Sequence, residues 1–190
     1  MRDVCIGTEY VYDPAQSGFH WLMAALIVVA IGVGIYAVDL PTGDPSKGFM
    51  FGIHKSLGMT ILFLVILRIG WRVIKGSPPY RTQLDRFSRL AASGTHAALY
   101  VLMLFLPVVG YVLSTAADRP VSLFGLYTFP RLFGPDKDLA KAAENAHVTG
   151  AWILIAVIAL HIAAALWHQF FKRDEVMARM APRLTRRSDG

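Results

Sequence analysis

The residues best suited to chemistry in this chain are its histidines, and all six lie within or at the ends of long apolar stretches: His20, His54, His96, His147, His161 and His168. An ionisable side chain is costly in an apolar medium, so each of these residues needs a partner there. A neutral imidazole can bind a metal through one ring nitrogen. The alternative for any single histidine is an interhelical hydrogen bond, but six together favour ligands.

Two of the histidines lie on one predicted helix, at a spacing that places them on the same face. His147 and His161 are fourteen positions apart, which is nearly four helical turns, so they lie on one face about 21 Å apart. Two ligands arranged in this way suit two haems at different depths. Each haem then needs one further axial histidine from another helix.

The elements that must carry these ligands are predicted to span a membrane. Hydrophobic residues make up 55% of the chain and charged residues only 17%, against about 25% charged in a soluble domain, and the mean hydropathy is +0.46. The apolar stretches exceed the ~20 residues needed to cross a bilayer. We therefore predict an all-α integral membrane four-helix bundle in one domain, with spans at about 17–38, 51–74, 92–117 and 145–171.

The distribution of basic residues predicts the orientation. The predicted cytoplasmic segments hold twelve cations and the outer loops hold five, and such an excess marks the cytoplasmic side. Both termini are therefore predicted to be cytoplasmic, in a multi-pass membrane protein. This asymmetry also accounts for the net charge of +6 without nucleic acid as a partner.

Topology pairs the histidines by depth. His54 and His147 both begin spans that enter from the outer side, and we call them the outer pair. His20 and His161 both lie toward the cytoplasm, and we call them the inner pair. His96 and His168 compete for the inner position. Small residues one turn away, which would leave room for a porphyrin, favour the first four: Ala24, Gly58, Gly150, Ala151, Ala164 and Ala165.

Three cations in or near the second span are candidates for the haem propionates. Arg68 and Arg72 share the helix face of His54, with Arg68 about 21 Å deeper. Lys55 adjoins His54 and would serve the outer haem. The alternatives are a cytoplasmic anchor for the arginines and snorkelling to the interface for Lys55.

The chain has a single cysteine, Cys5, which excludes an intrachain disulfide and a C-x-x-C-H haem attachment sequence. Any haem is therefore bound without covalent attachment. An alternative hypothesis is a haem-free transporter in which the histidines relay protons. The absence of Asp and Glu inside the predicted spans disfavours it.

Several sequence runs resemble the bacterial cytochrome b561 family: SGFHWLMA, GIHKSLGM, ENAHVTGAW, LHIAAALWH and FKRDEVMARM. The resemblance implies a four-helix membrane protein with two haems b. It also implies axial ligands from helices one, two and four, with two on the fourth. This pattern matches His20, His54, His147 and His161 and leaves His96 and His168 without a ligand role.

The resemblance further implies electron transfer between the ubiquinone pool and an outer, periplasmic one-electron substrate. One branch of the family oxidises superoxide and reduces ubiquinone, so an oxidoreductase of that kind is expected, with no catalytic side chain assigned. The alternative is a cytochrome b anchor subunit that links a periplasmic redox partner to quinone. The aromatic outer loop, VSLFGLYTFPRLF, is expected to cover the outer haem rather than to dock a partner.

Overall fold

The computed structural model describes residues 11–79, 85–174 and 176–180. Cys5 and five of the predicted cytoplasmic cations lie outside these ranges: Arg2, Arg81, Arg183, Arg186 and Arg187. The described chain is built on four long helices, which are α1 (Pro14–Asp39), α2 (Pro45–Lys75), α3 (Arg86–Ala116) and α4 (Lys137–Trp167). A π-helical turn (His168–Lys172) and the short helix α5 (Val176–Met180) follow α4.

Each of the four long helices begins at an aspartate whose carboxylate accepts hydrogen bonds from free backbone N–H groups of the first turn. The four N-cap residues are Asp13, Asp44, Asp85 and Asp136. A negative side chain at this position satisfies orphan donors and complements the positive end of the helix dipole. These caps lie outside the apolar stretches, so each helix begins before the span predicted from hydropathy.

All four long helices are long and apolar enough to cross a membrane. Many of their large apolar side chains point away from the bundle, including Val28, Ile66, Val101 and Trp152, which are 54% to 64% exposed. Such surfaces are stable in lipid and unfavourable in water. The predicted four-helix membrane fold is therefore confirmed.

The bundle consists of two helical hairpins. α1 packs chiefly along α2, and α3 packs chiefly along α4, while α2 also contacts α3. The core is a cluster of buried side chains from the first three helices: Met23, Ala30, Leu57, Ile61, Val65 and Met103.

The two described ends of the chain meet at one end of the bundle, which we call the terminal end. The Tyr12 N–H donates to the Arg179 carbonyl at 3.0 Å, and the Trp21 indole donates to the Met180 carbonyl at 3.3 Å. These contacts attach α5 to the start of α1. The opposite end, where α2 and α4 begin, is the hairpin end.

The hairpin end is named for a small β-hairpin between α3 and α4, formed by β1 (Ser122–Leu123) and β2 (Tyr127–Thr128). Its turn has positive φ angles at Phe124 (51°) and Gly125 (76°), as in the type I′ turns that suit tight hairpins. At this end α4 begins at Lys137, eight residues before the predicted fourth span.

Candidate functional site

The outer pair of histidines meets across the bundle toward the hairpin end. α2 supplies His54 and α4 supplies His147, and their ring centroids lie 6.0 Å apart at an interplanar angle of 81°. Both side chains are only partly exposed. The two helices thus bring one imidazole each to a common point between the helical hairpins.

Backbone carbonyls fix both rings of the outer pair. His54 Nδ1 lies 2.9 Å from the Ala30 carbonyl oxygen, and His147 Nδ1 lies 3.1 Å from the Leu106 carbonyl oxygen. A carbonyl only accepts hydrogen bonds, so Nδ1 carries the proton in each ring and donates it. The Nε2 lone pair of each ring is then available to a metal. Histidines that bind metals typically donate their other ring N–H to a carbonyl or carboxylate in this way.

Two glycines give these rings their space. A Cβ atom on Gly34 of α1 would lie 2.8 Å from the Cε1 and Nδ1 atoms of His54. A Cβ on Gly110 of α3 would lie 3.1 Å from His147 Cε1. Sequence analysis did not identify Gly34, because its role depends on the packing of α1 against α2 and leaves no pattern within α1.

The inner pair meets toward the terminal end, and a third histidine joins it. The centroids of His20 and His161 lie 6.2 Å apart at 67°. His96 of α3 lies even closer to His161, at 5.4 Å and 65°. The structure therefore brings the predicted inner pair together and also brings its competitor within contact distance.

Arg68 lies directly beside the inner pair. Its Nη2 is 3.2 Å from His20 Nδ1, and its Nε donates to the Tyr100 hydroxyl at 3.2 Å. A guanidinium has donors only, so Nδ1 of His20 accepts here and the proton of that ring is on Nε2. His20 is thus held in the opposite tautomer to the two rings of the outer pair.

A small open cavity lies beside Arg68 at the terminal end. Its lining includes two of the three cations predicted to bind haem propionates, and the full set is Tyr12, Gln16, Arg68, Arg72, Tyr100 and Met180. The Gln16 amide, which is buried, donates to the Gly76 carbonyl at 2.9 Å. Guanidinium groups are the usual protein partners of carboxylates.

The carboxylate nearest this region is held ionised. The Trp71 indole donates to Asp13 Oδ1 at 3.1 Å, and this hydrogen bond lowers the pKa of the Asp13 carboxyl below its ordinary value. The α1 backbone N–H groups of Ala15 and Gln16 act in the same direction. Asp13 therefore stays a cap for α1 and a partner for Trp71.

Lys55 and His168 have partners outside the two pairs. The Lys55 ammonium donates to the Pro120 carbonyl at 2.6 Å, which ties the outer connection to α2. His168 lies in the π-helical turn, with Nδ1 2.5 Å from Asp174 Oδ2. The predicted role of Lys55 toward an outer haem stays a prediction.

The spacing within both pairs fits an iron held between two imidazoles. Two metal–nitrogen bonds of about 2.0 Å end to end, with roughly 1.1 Å from each nitrogen to its ring centre, separate the centroids by about 6 Å. The observed separations are 6.0 and 6.2 Å. Within the described residues no group of three or more His, Cys, Asp or Glu side chains is placed to hold a metal ion.

A membrane four-helix bundle with facing histidine pairs defines a membrane-bound cytochrome b. The chain belongs to the prokaryotic cytochrome b561 family, whose model matches residues 11–183. This match confirms the resemblance carried by the sequence runs, and it makes the protein a haem b-binding, membrane-spanning electron-transfer protein of bacterial type.

Three curated relatives match over most of their length. The chain is 31% identical to cytochrome b561 homolog 2 of Escherichia coli over 169 residues, covering 89% of this chain and 90% of the relative. It is 29% identical to the probable superoxide oxidase CybB of Yersinia pestis, covering 90% and 96%. Cytochrome b561 homolog 1 of Escherichia coli is 25% identical, covering 90% and 97%.

Proposed function

We propose that this chain binds two haems b and exchanges single electrons between the ubiquinone pool and a one-electron substrate on the outer side of the bacterial inner membrane. The observation that carries the proposal is the pair of facing imidazoles repeated at two depths, with centroid separations of 6.0 and 6.2 Å. When bound, each haem supplies an iron that changes its charge by one.

In the outer pair, the protein orients both imidazole rings before any haem binds. The carbonyls of Ala30 and Leu106 hold His54 and His147 with Nε2 free. Because the rings are already oriented, little side-chain entropy is lost when these nitrogens become ligands. We assign the axial ligands of the outer haem to these two residues.

In the inner pair, we assign the axial ligands to His20 and His161 and leave His96 as a neighbour. The 6.2 Å separation of His20 and His161 matches the outer pair, whereas His96 stands at 5.4 Å from His161. The small residues beside His20 and His161, Ala24 and Ala164, support the same choice. For Nε2 of His20 to bind iron, its proton must move to Nδ1, so Arg68 must release that atom.

Arg68 and Arg72 then have anionic partners in the propionates of the inner haem. The two guanidinium groups share one cavity, and a buried cation in a span is costly unless an anion compensates it. In the inner site, Arg68 thus changes partner from a neutral histidine to a carboxylate. Lys55 is the corresponding candidate for the outer haem.

Superoxide is the outer substrate that we favour. One relative is named a probable superoxide oxidase, and Lys55 and Arg119 lie close enough to interact electrostatically near the outer pair. Two of the other cations at the hairpin end are paired with acids, Arg131 with Asp118 and Lys141 with Glu144. Lys55, next to His54 in the chain, and Arg119 are the cations at which we expect an anion to be attracted.

Stopped-flow haem reduction of the purified protein tests this proposal. We expect superoxide to reduce the haems rapidly, ubiquinone to reoxidise them, and the superoxide rate to fall with increasing salt and in Lys55→Gln. His168→Gln, at the other end of the bundle, is the matched control and should leave the superoxide rate unchanged. Reduction by ubiquinol alone, with no response to superoxide, would instead support a cytochrome b anchor for a periplasmic redox partner.

A further inference from the structure

The connection between α3 and α4 contains an uncharged apolar segment, Pro120–Pro130, which we call the hairpin segment. It has no Asp, Glu, Lys, Arg or His, although Arg119 and Arg131 flank it directly. An ion pair between Arg131 and Asp118 closes its base. Its large side chains are nonetheless uncovered by protein, with Phe124, Leu126 and Tyr127 exposed to 55%, 87% and 55%.

The hairpin segment lies along the side of α2 rather than beyond its end. The buried Ser56 hydroxyl of α2 lies 2.8 Å from the Ser122 carbonyl oxygen and 2.9 Å from the Phe124 nitrogen. One to two turns further along α2, Phe63 stacks on Phe129 with centroids 6.3 Å apart. The β-hairpin is therefore docked on the span itself.

The depth of this docking site follows from the predicted span in α2. That span covers about 51–74, and Ser56 lies about 10 Å from its midpoint at 1.5 Å per residue. The hydrocarbon layer extends about 15 Å on either side of the bilayer centre. The contact between Ser56 and the hairpin segment thus lies at the depth of the acyl chains.

Irregular backbone at that depth requires partners for its polar groups within the protein. Side chains of the spans and of the hairpin itself supply such partners for four carbonyls in the two arms of this segment. The donors and their acceptor carbonyls are Lys55 to Pro120, Ser56 to Ser122, Ser122 to Tyr127 and Tyr111 to Pro130. The turn adds the Leu126 N–H donating to the Leu123 carbonyl at 2.9 Å.

We propose that the hairpin segment is a re-entrant element, with the exposed side chains of Phe124, Leu126 and Tyr127 in contact with lipid acyl chains at the hairpin end of the bundle. Its partner is the lipid hydrocarbon, and neither water nor a docked protein covers it. The expected cover over the outer pair would then be anchored in the membrane. This inference goes beyond electron transfer and does not depend on which substrate is oxidised.

Spin-label accessibility in proteoliposomes tests the proposal. Leu126→Cys is prepared in the Cys5→Ser background, labelled with a nitroxide, and its collision rates with oxygen and with a neutral nickel chelate are measured by power saturation. Oxygen concentrates in lipid and the chelate in water. Ile66→Cys, on the lipid-facing side of α2, is the lipid control, and Ala142→Cys, on the exposed first turns of α4, is the aqueous control.

We expect the label at residue 126 to resemble that at residue 66, with a ratio of oxygen to nickel accessibility several-fold above that at residue 142. High nickel accessibility at residue 126, equal to that at residue 142, would overturn the proposal by placing the tip in water. Low accessibility to both reagents would also overturn it, because it would mean that a second copy or another protein covers the tip.

Discussion

The His54 ring occupies the space that a side chain at position 34 would fill. A side chain there would require the ring to move. The Cβ of an alanine would lie 2.8 Å from two atoms of a ring that is itself hydrogen-bonded to Ala30. We therefore expect Gly34→Ala to displace His54 and to lower the haem content from two per chain toward one. Absorption spectra and a haem assay of the purified variant measure this.

Gly32→Ala is the matched control for this prediction. It adds the same methyl group two residues away on the same helix, where no atom lies within 4 Å. Its haem content should equal that of the wild type. If Gly34→Ala also retained both haems with unchanged spectra, the contact between α1 and His54 would not constrain the ligand as we describe.

Arg68 should set the potential of the inner haem. A nearby cation stabilises the reduced form, which carries one positive charge fewer than the oxidised form. Arg68→Leu is therefore expected to lower the midpoint potential of the inner haem, or to weaken its retention, and to leave the outer haem nearly unchanged. Redox titration of the purified protein measures both midpoints.

Tyr100→Phe is the control for Arg68, because it removes only the hydroxyl that accepts from Nε and keeps the charge. It should shift the inner midpoint much less than Arg68→Leu does. Two unshifted midpoints together with normal haem content in Arg68→Leu would contradict a role toward the propionates and favour a simple interfacial anchor.

Depth in the predicted topology paired His54 with His147 and His20 with His161, and the fourteen-residue spacing placed the two α4 histidines on one face. The sequence left open whether His96 would stand beside His161, and it did not predict that Gly34 would receive His54. Both facts depend on how neighbouring helices are rotated and offset against each other. Sequence periodicity describes one helix at a time and carries no such information.

Ser56 secures the β-hairpin to α2. Its buried hydroxyl accepts from the Phe124 N–H and has two carbonyls within donating distance, those of Ser122 and of Gly52 one turn earlier, so Ser56→Ala removes the acceptor of Phe124 and a donor to Ser122. Each such loss costs about 1–3 kcal/mol when the group is buried. We expect the spin label at residue 126 to become more accessible to the nickel chelate in Ser56→Ala.

Thr60→Val is the control for Ser56, since the Thr60 hydroxyl one turn away donates only to the Ser56 carbonyl within the same helix. It should leave the label at residue 126 as it is in the parent protein. Unchanged accessibility in Ser56→Ala would show that the hydroxyl does not hold the hairpin in place.

Among the elements, the four spans were predictable because long apolar stretches admit few other structures. The first residues of these helices were harder to predict from hydropathy. The reason is that the helices begin at charged capping residues outside the apolar stretches: Asp13, Asp44, Asp85 and Asp136. The β-hairpin was not predicted at all. Its two strands are two residues each, too short for an alternating pattern, and their position depends on side chains of α2 and α3.

The orientation of the whole molecule in the membrane rests on its basic residues. Both described ends of the chain lie at the terminal end of the bundle, and the excess of cations there predicts that this end faces the cytoplasm. We expect a C-terminal fluorescent-protein fusion to fluoresce and a C-terminal alkaline phosphatase fusion to be inactive.

A phosphatase fused between Leu132 and Asp136, at the hairpin end, is the control for orientation and should be active. The opposite pattern, with an active C-terminal phosphatase and an inactive fusion at the hairpin end, would reverse the orientation. The outer pair would then face the cytoplasm, and a periplasmic substrate for it would be untenable.

The most direct test of the account is the number of haems per chain, measured by a pyridine haemochrome assay on fully loaded protein. We predict two haems for the wild type and for His96→Ala, and about one for each of His20→Ala, His54→Ala, His147→Ala and His161→Ala. A value near one haem per chain in the wild type would contradict the proposal that each histidine pair binds a haem. Loss of a haem in His96→Ala, with His20→Ala unaffected, would show instead that His96 is the ligand opposite His161.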